Sequence, residues 1–370
     1  MQLQCNNVKE IGEKAHRLAN FELLRILAML GVLLSHVFNY GLHIYPADAP
    51  DFTVDTSTFW GLVLWTLLQL IKLVSLVSVN CYVLITGYFM ASRVEWRWKG
   101  IWRVWSTTWF YGMVLYLLFA LMGRDVLSWQ GVFHNATPLL SNTYWFVTTY
   151  LALMLVSPAL SYVSCRLNQR WYTILLAVGF VICFQFLLGR YTMFGQQILL
   201  FVYLFFIGGY IRKFYADRVE NWWPLSAGFI MMLALMYACT VYKNLLGGND
   251  SFLVYGMEYN GLVLPLSVLV FLLFARMRVS ARYSATVCAV APLSFAAYII
   301  HTQPNVHAWL WPLLTDWLFS LPQWLLPLCC LLAAIVVFVC CVIIEGCRRF
   351  VLTKIFTRKL VNKKANPKNT

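Results

Sequence analysis

The chain is poor in charged residues, and poorest in acidic ones. Only 11% of its 370 residues are charged, with 14 Asp and Glu against 28 Lys and Arg. Because 61% of the residues are hydrophobic, the chain has too little polar surface to cover a soluble globule of this length. The mean hydropathy of +0.70 and the recurring apolar runs indicate an integral membrane protein.

Other signals are missing as well. No polar stretch between the apolar runs is long enough for a separate soluble domain, so one membrane domain is expected. The 11 cysteines include no CxxC pair and no His/Cys cluster at metal-binding spacing, which predicts neither a metal site nor a disulfide framework. No small-x-small cleavage site follows the first apolar run, so that run is expected to be the first membrane helix.

Apolar runs long enough to cross the roughly 30 Å hydrocarbon layer recur along the chain. Helices are predicted, because a backbone in lipid must satisfy its own hydrogen bonds. The expected fold is an all-α membrane bundle of about ten helices, with residues 57–69 along the interface. A segment 1–20, a membrane domain 21–349 and a basic tail 350–370 are predicted. The predicted spans are 21–42, 70–91, 104–122, 144–164, 171–189, 194–211, 223–242, 257–275, 286–308 and 324–347.

The basic residues predict the orientation of these spans. If residue 1 is cytoplasmic, only Arg124, Arg190 and Lys243 fall on the outer side, while Arg25 and Lys72 lie inside spans. The remaining basic residues all fall on the inner side, which predicts that both ends of the chain are cytoplasmic. The net charge of +14 therefore belongs to loops beside anionic lipid and does not indicate a nucleic-acid partner.

The first predicted helix carries polar residues on one face. Arg25 and His36 are separated by about three turns plus 20°, and by about 16 Å along the axis. Glu22 can pair with Arg25, and Asn39 continues the polar edge beyond His36. Such a stripe should face the bundle interior. The alternative interpretation is an ion pair at the interface together with a histidine that only packs between helices.

These residues also resemble a known arrangement. Arg25 is followed by ten residues and then His36, with the acidic Glu22 three residues before the arginine. Further pieces follow in order: ITGYF at 85–89, YWF at 144–146, FFIGGYIRK at 205–213, AAYIIH at 296–301 and IIEGCRR at 343–349. Over essentially its whole length the chain resembles the membrane-bound acyltransferase family 3, which modifies surface sugars.

The resemblance implies a multi-pass O-acetyltransferase of the bacterial cytoplasmic (inner) membrane. Its donor would be acetyl-CoA or another acyl-CoA, and its acceptor a hydroxyl of a cell-surface saccharide or exopolysaccharide, or of a lipid-linked precursor. A neutral imidazole suits the removal of a hydroxyl proton, so His36 is the predicted base. The sequence leaves two routes open: His36 acts only as this base, or it is itself acylated first. Arg25, supported by Glu22, is predicted at the donor phosphates.

The loop after the second span differs from many relatives, which carry an Arg-x-Arg pair there. This chain reads SRVEWRWKG, in which Arg93 stands apart and the nearest counterpart of the pair is Arg97 and Lys99. All three are candidates for donor binding. The alternative is ordinary positive charge on an inner loop.

Weaker candidates lie on the acceptor side. His301 is predicted at a depth similar to that of His36, where it would orient an acceptor hydroxyl or simply pack between helices. Tyr144 and Trp145 would stack on a sugar or belong to an aromatic belt, and Asn39 would contact the acceptor. A different function remains open, namely a secondary transporter that exports a saccharide, although no matching pair of Gly- or Pro-broken helices is present.

Overall fold

The computed structural model describes residues 19–42, 54–139, 141–188, 196–215, 221–246 and 261–365. Across these ranges the chain forms helices and turns and no strand. The α-helices are α1 (Ala19–His36), α2 (Phe59–Ser75), α3 (Ser78–Met90), α4 (Trp98–Leu121), α5 (Trp129–Ala136), α6 (Trp145–Arg166), α7 (Gln169–Leu188), α8 (Gln196–Tyr210), α9 (Trp223–Leu245), α10 (Val263–Arg276), α11 (Ala281–Thr302), α12 (Pro304–Phe319) and α13 (Leu326–Ala365). Val37–Gly41 and Ile211–Tyr215 form π-helical turns.

The predicted all-α membrane bundle is confirmed. Among the described residues, 8 stretches are long and apolar enough to cross a membrane. Two shorter apolar helices, Gln169–Ile182 and Val263–Arg276, occupy the places of the fifth and eighth predicted spans. The count of ten and the cytoplasmic position of both ends stay predictions, and the terminal residues 1–18 and 366–370 lie outside the described residues.

The second span begins earlier than predicted. Helices α2 and α3 form one apolar stretch, Phe59–Met90, with a short break at residues 76–77. The ring of Trp65 packs 6.2 Å from that of Tyr237 in α9. Trp65 therefore packs against a neighbouring helix, and the segment continues into the second span, while the interfacial position of residues 57–69 stays a prediction.

The ninth span ends earlier than predicted. Helix α11 stops at Thr302, whereas the predicted span was 286–308. Pro304 has no N–H to donate and disfavours helical geometry at Gln303, so the helix cannot continue. The Gln303 side chain instead accepts a hydrogen bond of 2.9 Å from the backbone N–H of Val306. A new helix, α12, which the sequence analysis did not predict, starts there.

Glycines allow α3 and α8 to pack closely. A Cβ atom at Gly87 would lie 2.7 Å from the Cα atom of Phe205. A Cβ atom at Gly208 would lie 2.5 Å from the backbone oxygen of Leu84. Gly208 therefore permits close contact between these helices. Helix α3 therefore lies firmly between α8 and α1, with which it also packs.

A buried ion cluster joins α13 to α4. Glu345 is fully buried, and its carboxylate lies 2.7 Å from Arg348 Nε and 2.6 Å from Arg349 Nε. The two arginines lie three and four residues after Glu345, one helical turn away, so the ion pairs are local to the end of the last span. Tyr111 of α4 adds a hydrogen bond of 2.8 Å to the same carboxylate. Helix α13 runs on to Ala365, past residue 349, where the membrane domain was predicted to end.

Candidate active site

One end of α1 carries an ion pair. Arg25 Nη1 lies 2.6 Å from Glu22 Oε2, one helical turn away. Glu22 is buried, and the side chain of Arg25 is 26% exposed. The Arg25 guanidinium carbon lies 6.0 Å from the ring centre of Tyr82 in α3. Since one guanidinium offers five N–H donors, the pair with Glu22 orients Arg25 and leaves donors for another anion.

The basic loop residues lie near this end of α1. Arg93, Arg97 and Lys99 are exposed, at or beside the start of α4. Desolvation lowers the pKa of Arg97 from its ordinary value, and the positive charges of Arg93, Arg103 and Arg25 lower it further. Arg97 and Arg25 therefore belong to the same group of mutually repelling cations. An anion placed among them would relieve that repulsion.

The other end of α1 carries His36, directly before the π-helical turn Val37–Gly41. His36 Nδ1 lies 2.8 Å from Nε2 of His301 in α11. His301 is fully buried, and its Nδ1 lies 2.5 Å from the backbone oxygen of Ala297. The structure thus joins two residues that are 265 positions apart in the chain.

This chain of contacts assigns the hydrogen atoms. The Ala297 carbonyl can only accept, so Nδ1 of His301 carries the hydrogen. In the neutral ring, Nε2 of His301 is then an acceptor, so Nδ1 of His36 must donate to it. The lone pair of His36 is left on Nε2. A base oriented in this way by a second group is the arrangement used in acid–base catalysis.

A cavity of about 320 Å³ lies along α1 and the π-helical turn that follows it, from Met29 to Tyr40. His36 and Asn39 line it on the α1 side, and Trp145 lines it at the start of α6. Tyr82, the neighbour of Arg25, also lines it. The cavity therefore reaches the imidazole of His36, and it is connected to Arg25 through Tyr82, since neither Arg25 nor Glu22 lines it.

The two aromatic candidates occupy different environments. Trp145 lines the cavity. Tyr144 is only 1% exposed, and its hydroxyl has no hydrogen-bond partner among the described residues. Its ring lies 6.5 Å from that of Tyr298, behind the cavity wall. Of these two residues, only Trp145 therefore presents a surface to the cavity.

Sequence reasoning missed several residues beside the site. Tyr82 and Tyr298 line the cavity. Tyr298 lies within the motif AAYIIH, and Tyr82 lies three residues before ITGYF, but neither motif indicated which way these side chains point. His307 and Trp311 of α12 pack near the histidine pair. Their spacing of four residues was the only available signal, since it places both on one face of a helix.

The comparisons with known proteins agree with this geometry. A family model described as an acyltransferase domain, that of acyltransferase family 3, matches residues 18–345. Neither the curated proteins nor the solved structures gave a match. The matched region contains both ends of α1, the cavity along it and His301. This chain therefore belongs to acyltransferase family 3 and is a multi-pass membrane acyltransferase.

Proposed function

We propose that the protein transfers an acetyl group from acetyl-CoA to a hydroxyl of a cell-surface saccharide, or of its lipid-linked precursor, at the bacterial inner membrane. One observation carries this proposal. The cavity is lined by the oriented histidine base His36 and by Tyr82, whose ring lies 6.0 Å from the Arg25 guanidinium carbon, beside further cations. Acyl-CoA has the corresponding ends, a reactive thioester and a set of phosphates, joined by a thin arm.

The cation end suits the donor phosphates. Arg25 offers a planar guanidinium held by Glu22, and Arg97 lies within the same positive field. Arg93 and Lys99 add positive charge on the exposed side. In this proposal Arg25 binds a phosphate directly, Glu22 positions Arg25, and the loop residues attract the anion. The distance of about 16 Å along α1 matches the length of an extended pantetheine arm.

The histidine end suits the transfer itself. The acceptor hydroxyl oxygen attacks the thioester carbonyl carbon, a C–O bond forms, and the C–S bond breaks. His36 Nε2 takes the hydroxyl proton and returns it to the leaving thiolate, so that the products are the ester and free CoA. His301 accepts a hydrogen bond from His36 throughout and stabilises the imidazolium, so we assign it as a positioning residue.

The acceptor enters from the side opposite to the donor phosphates. Asn39 lies on the cavity wall one turn beyond His36, where its amide can bind a second hydroxyl. Trp145 supplies an apolar face for a sugar ring. Tyr144 lies behind that wall, and its role is to support Trp145 and Tyr298.

The test compares two identical substitutions. His36→Gln keeps the size of the side chain but removes the base, so transfer should fall about a hundredfold while donor binding persists. His134→Gln in α5, away from the cavity, is the matched control and should retain activity. Release of CoA from labelled acetyl-CoA, with a membrane saccharide extract as acceptor, measures turnover, and calorimetry measures donor affinity.

Two outcomes would contradict the proposal. If the wild type binds no acyl-CoA while His36→Gln abolishes saccharide export from vesicles, the protein acts as a transporter. If His36→Gln and wild type release CoA at equal rates, His36 is not the base.

A further inference from the structure

Three aromatic side chains beside the histidine pair have no role in the transfer step described above. The Tyr40 ring lies 4.6 Å from that of His307 and 5.7 Å from that of Trp311. Trp311 also lies 6.2 Å from His36 and 6.1 Å from His301. We call Tyr40, His307 and Trp311 the outer aromatic cluster. It brings the end of the first membrane helix together with α12.

Local structure fixes Tyr40 in place. It belongs to the π-helical turn Val37–Gly41, and such turns are frequent at functional sites. Its backbone oxygen accepts a hydrogen bond of 3.3 Å from Thr315 of α12. The residue is 39% exposed, and its side chain lines the same cavity as His36. Tyr40 thus separates the cavity from the rest of the outer aromatic cluster.

Trp311 supplies a second and independent observation. It is 2% exposed, and its indole Nε1–H has no hydrogen-bond partner among the described residues. Buried donors are normally paired, because an unpaired one loses its water without replacement. The amide nitrogen of Gln303, at the start of α12, is also buried and unpaired within the described chain. The unpaired indole donor of Trp311 beside the histidine pair indicates that a ligand oxygen binds there.

The aromatic residues of α12 fall into two classes. Trp309 and Trp317 are 46% and 41% exposed, as expected for side chains that face lipid or the interface. Trp311 points inward, toward the histidine pair. An aromatic belt explains the first two residues, but it does not explain a buried indole beside a catalytic cavity.

We propose that the outer aromatic cluster is the binding subsite for the saccharide acceptor. This inference rests on the proposed function and names the residues that recognise its acceptor. A sugar ring presents an apolar face and a rim of hydroxyls, which fit an aromatic surface with hydrogen-bonding groups beside it. The ring lies against Tyr40, a hydroxyl accepts from Trp311 Nε1–H, and His307 bonds a neighbouring hydroxyl. The reacting hydroxyl then reaches His36.

The test separates acceptor recognition from donor binding. Tyr40→Ala removes the aromatic surface, and Trp311→Phe keeps a ring but removes the N–H. We expect the KM for a membrane saccharide extract, titrated by its hexose content, to rise about tenfold in Tyr40→Ala and severalfold in Trp311→Phe. Tyr40→Phe keeps the aromatic surface, so its acceptor KM should lie well below that of Tyr40→Ala. The Kd for acetyl-CoA should not change in any of them.

Trp317→Phe is the matched control, since it makes the same change to an exposed residue of the same helix. Each variant must melt at the wild-type temperature. If Tyr40→Ala does not fold, the acceptor KM of Trp311→Phe alone tests the proposal. An unchanged acceptor KM in Trp311→Phe, with normal donor binding, overturns this inference and leaves the proposed function standing. A weaker Kd for acetyl-CoA assigns the cluster to the donor instead. A wild type that binds no acetyl-CoA overturns both.

Discussion

His36 Nδ1 lies 2.8 Å from His301 Nε2, and the backbone oxygen of Ala297 fixes the other side of the His301 ring. The second histidine therefore determines which nitrogen of the first one carries the lone pair. Both rings sit at the end of α1 opposite to Arg25, so the proposed proton transfer and the proposed phosphate binding would occupy separate ends of one helix.

Substitution of His301 tests this relationship. His301→Leu removes the acceptor for His36 Nδ1–H, so kcat should fall about a hundredfold or more. His301→Gln supplies an amide oxygen that can accept the same hydrogen bond, so part of the activity should return. The measurement is CoA release at saturating acetyl-CoA, with donor Kd and thermal melts determined in parallel. A purely structural role for His301 would predict equal losses in both variants.

Arg25→Lys tests the cation end of α1. The lysine keeps the charge but loses the planar fork that binds both Glu22 and a phosphate. We expect the affinity for acetyl-CoA to fall about tenfold by calorimetry, with little change in kcat at saturating donor. Arg282→Lys, at the start of α11, is the control. Unchanged donor affinity in Arg25→Lys would mean that Arg25 only forms an ion pair with Glu22.

The predicted orientation can be tested by reporter fusions. Fusions after residue 50 should report an external position, and fusions after residues 98 and 365 an internal one, because basic residues concentrate on the predicted inner side. A cytoplasmic signal from the fusion after residue 50 would reverse the predicted topology. It would also place the His36 end of the cavity on the donor side, contrary to the proposed entry of acyl-CoA.

Close packing of α3 against α8 predicts a large effect at one glycine. Gly87→Ala places a methyl group 2.7 Å from the Cα atom of Phe205, so the helices must separate. We expect a lower melting temperature in detergent and a lower yield. Gly346→Ala is the matched control, since its nearest neighbour, a Leu293 methyl carbon, lies at 3.9 Å. Equal melting temperatures for the two variants would show that the α3–α8 contact is adaptable.

The sequence predicted the parts of this protein that depend on local pattern. The apolar run of α1 and the positions of Arg25 and His36 on it follow from composition and helical period. The contact between His36 and His301 does not, because it depends on how α11 packs against α1. Helix α12 was missed because the apolar run continues through Gln303 and Pro304, which end one helix and start another.

The π-helical turn Val37–Gly41 has a consequence for insertions and deletions in this chain. A π-helical turn is an α-helix that has accommodated one extra residue. Deleting one residue within 37–41 would restore α-helical hydrogen bonding without disturbing the register between Arg25 and His36. A deletion within 37–39 would change the position of Tyr40 relative to His36, and Tyr40 would lose its 5.7 Å ring contact with Trp311 of α12. One residue of chain length within this turn therefore sets how Tyr40 faces α12.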